Sequence, residues 1–265
     1  ARSHQDTVTD RLIDALKQIE GAYSLVCVAK DMLIGVRDPL GVRPLVLGKQ
    51  GGAYVLASES CALDIVGAEI VRDLDPGEMV VITKASIKSI KPFPTKQSRF
   101  CVFEYIYFAR PDSVLEGRGV YHARKAIGAE LAKESGAVAD LVVPVPDSGV
   151  PAALGYAEAA NIPFELGIIR NHYIGRTFIQ PTQQGRNDSV KMKHNANSAT
   201  VCGKRVVLVD DSIVRGTTSR KIVAMMRAAG ATEVHMRIAS PPTINPCFYG
   251  VDTPDKDQLI AAKLD

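Results

Sequence analysis

RVVLVDDSIVRGTTSRKIVAMMRAA, residues 205–229, decides how this chain folds. The apolar run Val206–Val209 reads as a strand buried on both faces, as in a parallel sheet covered by helices on each side. It ends in Asp210 and Asp211, at the edge where such a sheet presents its ligands. After a short loop, Gly216, Thr217 and Thr218 open a helix. Its apolar positions, Ile222, Val223, Met225, Met226 and Ala229, share one face, and Gly230 closes it. Backbone N–H groups at a helix start, a glycine that permits close approach and hydroxyls on Thr217, Thr218 and Ser219 suit a phosphate. Two adjacent carboxylates suit vicinal sugar hydroxyls and a divalent cation. Either feature alone is commonplace. In this order they point to one ligand carrying a phosphate, a diol and magnesium. GTTSRK lacks the GxxxxGK[ST] spacing of a nucleotide-triphosphate loop.

Outward from this segment the pattern alternates. Arg118–Ser135 reads as a helix, Asp140–Pro144 as a strand, Ala152–Ala160 as a helix, Glu165–Ile169 as a strand and Glu233–Ala239 as a strand, which predicts a parallel α/β sheet. The small-residue turn Pro146-Asp147-Ser148-Gly149 follows one strand end and offers N–H groups to an anion. Asn171–Thr200, 30 residues with little periodicity, carries Arg176, Arg186, Lys191 and Lys193 against Asp188, a net +3. Long irregular stretches in compact domains are commonly lids, and a cationic one suits closure over a polyanion.

Before residue 98 the rhythm differs. Leu12, Ile13, Leu16 and Ile19 recur at helical spacing, with Gly21 closing the helix. Short strand-like runs follow at Tyr23–Ala29, Leu33–Arg37, Leu45–Gly48, Ala53–Ala57 and Glu78–Thr83. Lys91–Ser98, with two prolines, reads as a linker. The expected architecture is α+β over residues 1–98 followed by α/β over 99–265.

Composition narrows the class. The 265 residues carry a net charge of +3, too small to argue for nucleic acid or a membrane surface. No apolar run approaches the roughly 20 residues of a membrane helix. Five cysteines at scattered spacings form no disulfide framework, so a reducing, cytoplasmic setting is expected.

VVLVDDSIVRGTTS is similar to the phosphoribosylpyrophosphate (PRPP) signature of type I phosphoribosyltransferases. The flanks CVFEYIYFARPDS (101–113), VPVPDSG (143–149), HYIGRTFIQP (172–181) and HMRIASPP (235–242) resemble the glutamine PRPP amidotransferase family. Arg37–Leu45, RDPLGVRPL, with Ser58-Glu59-Ser60, resembles the N-terminal-nucleophile glutaminase domain of that family. The resemblance runs over essentially the whole chain. It implies a partial glutaminase domain joined to a phosphoribosyltransferase domain, truncated at both ends. It also implies formation of 5-phosphoribosylamine from PRPP and glutamine-derived ammonia, with release of pyrophosphate, as the opening step of purine biosynthesis. A PRPP-binding regulator and a nucleobase phosphoribosyltransferase share the signature but not the first domain.

Carried over residue by residue, the resemblance implies that Asp210, Asp211 and Ser148 hold ribose and magnesium. Gly216, Thr217 and Thr218 would bind the 5-phosphate, with Ser212 and Ser219 also substrate-binding, and the loop with Asp147 and Ser148 would face pyrophosphate together with Arg176 and Lys193 of the lid. The family's nucleophile is a mature N-terminal cysteine whose own amino group acts as base. Residue 1 here is Ala and Cys27 lies in a strand run, so no glutaminase catalytic residue is assigned. Cys101 and Cys247 match ligands of a 4Fe-4S iron–sulfur cluster in one branch of the family, two short of a complete set. Cys61 and Cys202 read as structural. Purine nucleotides as feedback inhibitors and a homo-oligomer are further expectations.

Overall fold

In the computed structural model, which describes residues 3–171, 173, 194–251, 253 and 255–263, the chain divides into two compact units. The first comprises Ala1–Glu104, Ala109–Val120 and Cys247–Asp252; the second comprises Tyr105–Phe108, Tyr121–Pro246 and Thr253–Asp265.

The first unit begins with helix α1 (Val8–Leu16), capped by the Thr7 side chain accepting from Asp10 N. The helix stops before Ile19 and Gly21, where the sequence pattern would carry it. Gln18 and Ile19 bond to carbonyls three residues back, tightening the last turn out of helix, and Ile19 is exposed. Strands β1 (Ser24–Ala29), β2 (Met32–Arg37), β3 (Val46–Gln50) and β4 (Ala53–Ala57) are followed by helix α2 (Ser60–Val66) and strands β5 (Glu69–Asp73), β6 (Met79–Thr83) and β7 (Ile87–Ile90). They form an antiparallel sheet in the order β1-β2-β6-β7 and a second in the order β4-β3-β5. Alternation along β2 and β6 sends Ile34, Val36 and Met79 toward Leu12, Ile13 and Leu16 of α1. Leu33, Val80 and Ile82 pack with Leu45 and Leu47 of the second sheet. Helix α2 and the edge strands β5 and β7 were not legible in the sequence; β5 (EIVRD) is almost wholly exposed and has no alternating apolar face.

RDPLGVR is the hub of this unit. Arg37, 2% exposed, donates to the carbonyls of Arg43 (2.9 Å), Leu74 (2.6 Å) and Gly41 (3.0 Å) and to Glu116 Oε1 (2.8 Å). The buried Asp38 carboxylate accepts from the N–H groups of Leu40 and Val42. A second buried acid, Glu78, accepts from Arg72 (2.5 and 2.8 Å), Ser89 (2.6 Å) and Asp75 N (2.7 Å).

The second unit contains all but the first residue of a turn of π-helix at Glu104–Phe108 and of helix α3 (Val120–Glu134); in the intervening sequence β8 (Val114–Leu115) and β9 (Arg118–Gly119), which belong to the first unit, form a hairpin. Then come β10 (Leu141–Pro144), α4 (Val150–Ala160), β11 (Ile168–Arg170), β12 (His194–Ala196), α5 (Ser198–Val201), β13 (Arg205–Asp210), α6 (Thr217–Ala228) and β14 (Glu233–Ile238). Strands β10, β13 and β14 form a parallel sheet with β13 in the middle. Val207 and Val209 pack with Ala152, Ala153 and Tyr156 of α4; Val206 and Leu208 pack with Ile222 and Met226 of α6. Both faces of β13 are therefore covered, which is why its sequence is a continuous apolar run. Each of the valine, leucine, isoleucine and methionine side chains among them contributes about 1.5–3 kcal/mol on burial. The strand expected at Glu165–Ile169 meets this sheet only at its start: Phe164 bridges to Val142 and Glu165 N donates to Val142 O at 2.9 Å, after which β11 turns away to pair antiparallel with β12. No helix among the described residues is long and apolar enough to cross a membrane.

Burial alone would raise the Glu78 carboxyl, but hydrogen bonds from Arg72, Ser89 and Asp75 N outweigh it and hold the group at about 2. A depressed carboxylate contributes stability above its unfolded pKa and loses it as pH falls toward its folded one. Glu78→Gln is thus expected to cost about 1–3 kcal/mol at pH 7. It should also flatten the loss of stability that the parent chain shows between about pH 4 and pH 2. Denaturant melts across that range check both effects.

Candidate functional site

The site is built where β13 ends. Asp210 is 9% exposed and Asp211 6% exposed. Their backbone carbonyls accept from Ala239 N (2.9 Å) and Ser240 N (2.8 Å), so the chain leaving β14 clamps the pair from one side. On the other side lies the turn after β10. Ser148 Oγ donates to Asp211 Oδ1 at 2.5 Å, and Ser212 Oγ donates to Asp211 Oδ2 at 2.6 Å. Asp211 N donates to Asp210 Oδ1 at 3.0 Å. Among the described residues neither carboxylate has an ion-pair partner. Burial first, and then the charge of Asp211, push the Asp210 carboxyl well above the usual carboxylate range.

The Pro146–Asp147 peptide is cis. Gly149, at the N-cap of α4, sits so close to β13 that a Cβ there would lie 2.4 Å from Val209 O, so glycine is demanded by close approach. The turn is gripped by the β11–β12 ribbon: Arg170 forms an ion pair with Asp147, and His194 Nε2 lies 3.3 Å from Pro146 O. Neither residue was singled out in the sequence, because each sits at a strand end and acquires its role through pairing. Behind Ser148 and Asp211 is a small recess lined by Ile106, Arg124, Ile127 and Ala152.

Beyond the acids, Gly216 takes φ +72°, the left-handed region, and α6 starts at Thr217 without a side-chain cap. Thr217 and Thr218 are exposed and Ser219 is buried. The first turn of α6 thus receives no side-chain cap for its N–H groups. Arg176, Lys193 and most of the expected lid lie outside the described residues. Of the cysteines, Cys61 is buried, whereas Cys202, expected to be structural, is exposed. Cys101 and Cys247 are both partly exposed and belong to the first unit. Among the described residues no three or more His, Cys, Asp or Glu side chains cluster as a metal site.

The phosphoribosyl transferase domain family matches residues 112–239 and the glutamine amidotransferase domain family residues 3–64. An amidophosphoribosyltransferase from Rhizobium etli is 58% identical over 98% of this chain and 54% of its own length. One from Bacillus subtilis is 52% identical over 98% of this chain and 55% of its own. The chain thus spans about half the length of these relatives. A solved structure described as the allosteric regulatory enzyme of purine biosynthesis superposes with a TM-score of 0.91 at 51% identity, covering 100% of this chain and 57% of that one. A glutamine PRPP amidotransferase from B. subtilis, complexed with ADP and GMP, gives 0.90 at 52% identity, covering 99% and 58%.

Two substitutions test this geometry. Gly149→Ala places a methyl against Val209 O and is expected to cost about 1–3 kcal/mol, read as a lowered melting temperature. Asp210→Asn should act oppositely. A carboxyl raised in the fold costs stability once pH exceeds its unfolded pKa. The substitution is therefore expected to raise the melting temperature at neutral pH in metal-free buffer, with the advantage shrinking below about pH 4.

Proposed function

The chain belongs to the amidophosphoribosyltransferase family, and we propose that its second unit performs that family's phosphoribosyl transfer, the step that commits a cell to making purines. In this reading ammonia displaces pyrophosphate from C1 of PRPP and gives 5-phosphoribosylamine. One observation carries it: two nine-tenths-buried carboxylates at the end of β13, one hydrogen-bonded to Ser148, precede an uncapped helix start at Gly216. That arrangement offers acceptors to a diol and donors to a phosphate along one stretch of backbone.

The nitrogen lone pair forms a bond to C1 as the bond from C1 to the pyrophosphate oxygen breaks. The electron pair leaves with pyrophosphate, and the new amine sheds a proton to solvent. Ammonia is already nucleophilic, so no strong base is required; positioning and charge stabilisation supply the rate. Asp210 and Asp211 accept hydrogen bonds from the ribose hydroxyls. The N–H groups and hydroxyls of Thr217, Thr218 and Ser219 hold the 5-phosphate beside Gly216 and Ser212. The 146–149 turn, with Asp147 and Ser148, faces pyrophosphate, together with Arg176 and Lys193.

Magnesium fits the donor set of Asp210, Asp211 and Ser148, because all are hard oxygens and the carboxylates have no cationic partner among the described residues. Bound there, it would neutralise charge on the departing pyrophosphate. Cys101 and Cys247 share a feature suited to a thiolate ligand: each sulfur accepts a backbone N–H from two residues on, Phe103 and Tyr249. Burial pushes the Cys101 thiol up. Two thiols do not complete a four-cysteine iron–sulfur site, and no step depends on one. Glutamine as ammonia source, purine nucleotides as effectors, a homo-oligomer and a cytoplasmic setting are proposed for the whole protein. The amidotransferase match and the ADP- and GMP-bound relative support the first two.

Incubation of the chain with PRPP, magnesium and ammonia is expected to release pyrophosphate in proportion to ammonia. Asp211→Asn should weaken PRPP binding about ten- to a hundredfold. Tight PRPP binding without turnover would favour a regulator, and release independent of ammonia would overturn the transfer reaction.

A further inference from the structure

The cradle between Asp211 and Thr217 has little support of its own. Among the described residues, Ser212–Arg215 make one backbone hydrogen bond, from Ile260 N to Val214 O at 2.9 Å. The donor comes from a distant strap of two short 3-10 turns, Lys256–Gln258 and Ile260–Lys263. Leu259, between them, is fully buried and anchors it. The Ile260 side chain lies over the glycine on which the cradle pivots: a Cβ on Gly216 would come within 2.9 Å of Ile260 Cδ1.

We propose that Ile260 is a positioning residue for the 5-phosphate subsite. It holds the Val214–Gly216 backbone in its binding conformation before the phosphate arrives, an inference that rests on the proposed phosphoribosyl transfer. The physical reason is preorganisation. A loop that must be ordered by its ligand loses affinity to the conformational entropy it gives up, and a loop already ordered does not. Ile260 has both means of ordering it, a donor for the Val214 carbonyl and a methyl that covers Gly216. Among the described residues Ile260 makes no hydrogen bond to the acid pair or the 146–149 turn, so its influence should be confined to one end of the ligand.

The test separates the two ends. Ribose 5-phosphate, and pyrophosphate with magnesium, are titrated calorimetrically and separately into the chain and its variants, with melting temperatures recorded alongside. Ile260→Val deletes Cδ1, the atom over Gly216, and conserves the fold. Ile260→Ala deletes more of the side chain, and Ile260→Pro removes the N–H. Ribose 5-phosphate binding is expected to weaken about threefold in Ile260→Val and about tenfold in Ile260→Ala and Ile260→Pro. Pyrophosphate binding should stay within about twofold in all three. Equal losses for both ligands, or unchanged ribose 5-phosphate binding by Ile260→Val and Ile260→Ala, would overturn the proposal and leave the strap a structural element. If Ile260→Ala does not fold, Ile260→Val decides. Failure of the parent chain to bind ribose 5-phosphate would instead overturn the phosphoribosyl reading beneath it.

Discussion

Burying two neighbouring carboxylates without a cation beside them is unfavourable, and the second unit is organised around that constraint. Asp210 and Asp211 cannot both be comfortably ionised where they stand; burial and mutual repulsion raise Asp210. The fold tolerates this because everything around the pair is fixed by other means. Val206–Val209 are packed on both faces, and Ala239 N and Ser240 N hold the two carbonyls. The hydroxyls of Ser148 and Ser212 take up both oxygens of Asp211. In the proposed function, a cation arriving with the ligand would relieve this repulsion.

The first unit solves a similar problem with a different outcome. Arg37, Asp38 and Glu78 are as buried as the acid pair, yet each is fully engaged. Arg37 spends its donors on three carbonyls and Glu116, Asp38 accepts backbone N–H groups, and Glu78 is matched by Arg72. Buried charges with complete partners specify a backbone conformation and have nothing left to offer a ligand. RDPLGVRPL therefore acts as scaffold, whereas Asp210 and Asp211 are buried with no ion-pair partner among the described residues.

The long-range partners divide what could be read from what could not. Ser148 and Asp211 were both visible as candidates, but their hydrogen bond joins two strand ends across the sheet and has no local signature. Arg170 precedes the long polar stretch and His194 lies near its end, and the two become register partners only when β11 pairs with β12. Cys202 was expected to be structural, and nothing nearby in sequence marks its side chain as exposed.

By itself the sequence determined the parts whose physics is local. The apolar run of β13 demands cover on two faces, the acids must follow at its end, and a glycine before Thr217 permits the left-handed residue that starts α6. Only the tertiary structure decided which turns meet those acids, that the strand expected after residue 165 leaves the parallel sheet, and that Ile260 closes over Gly216. Those outcomes depend on contacts between segments far apart in the chain, where the free energy lies in fit between surfaces and no residue pattern records it.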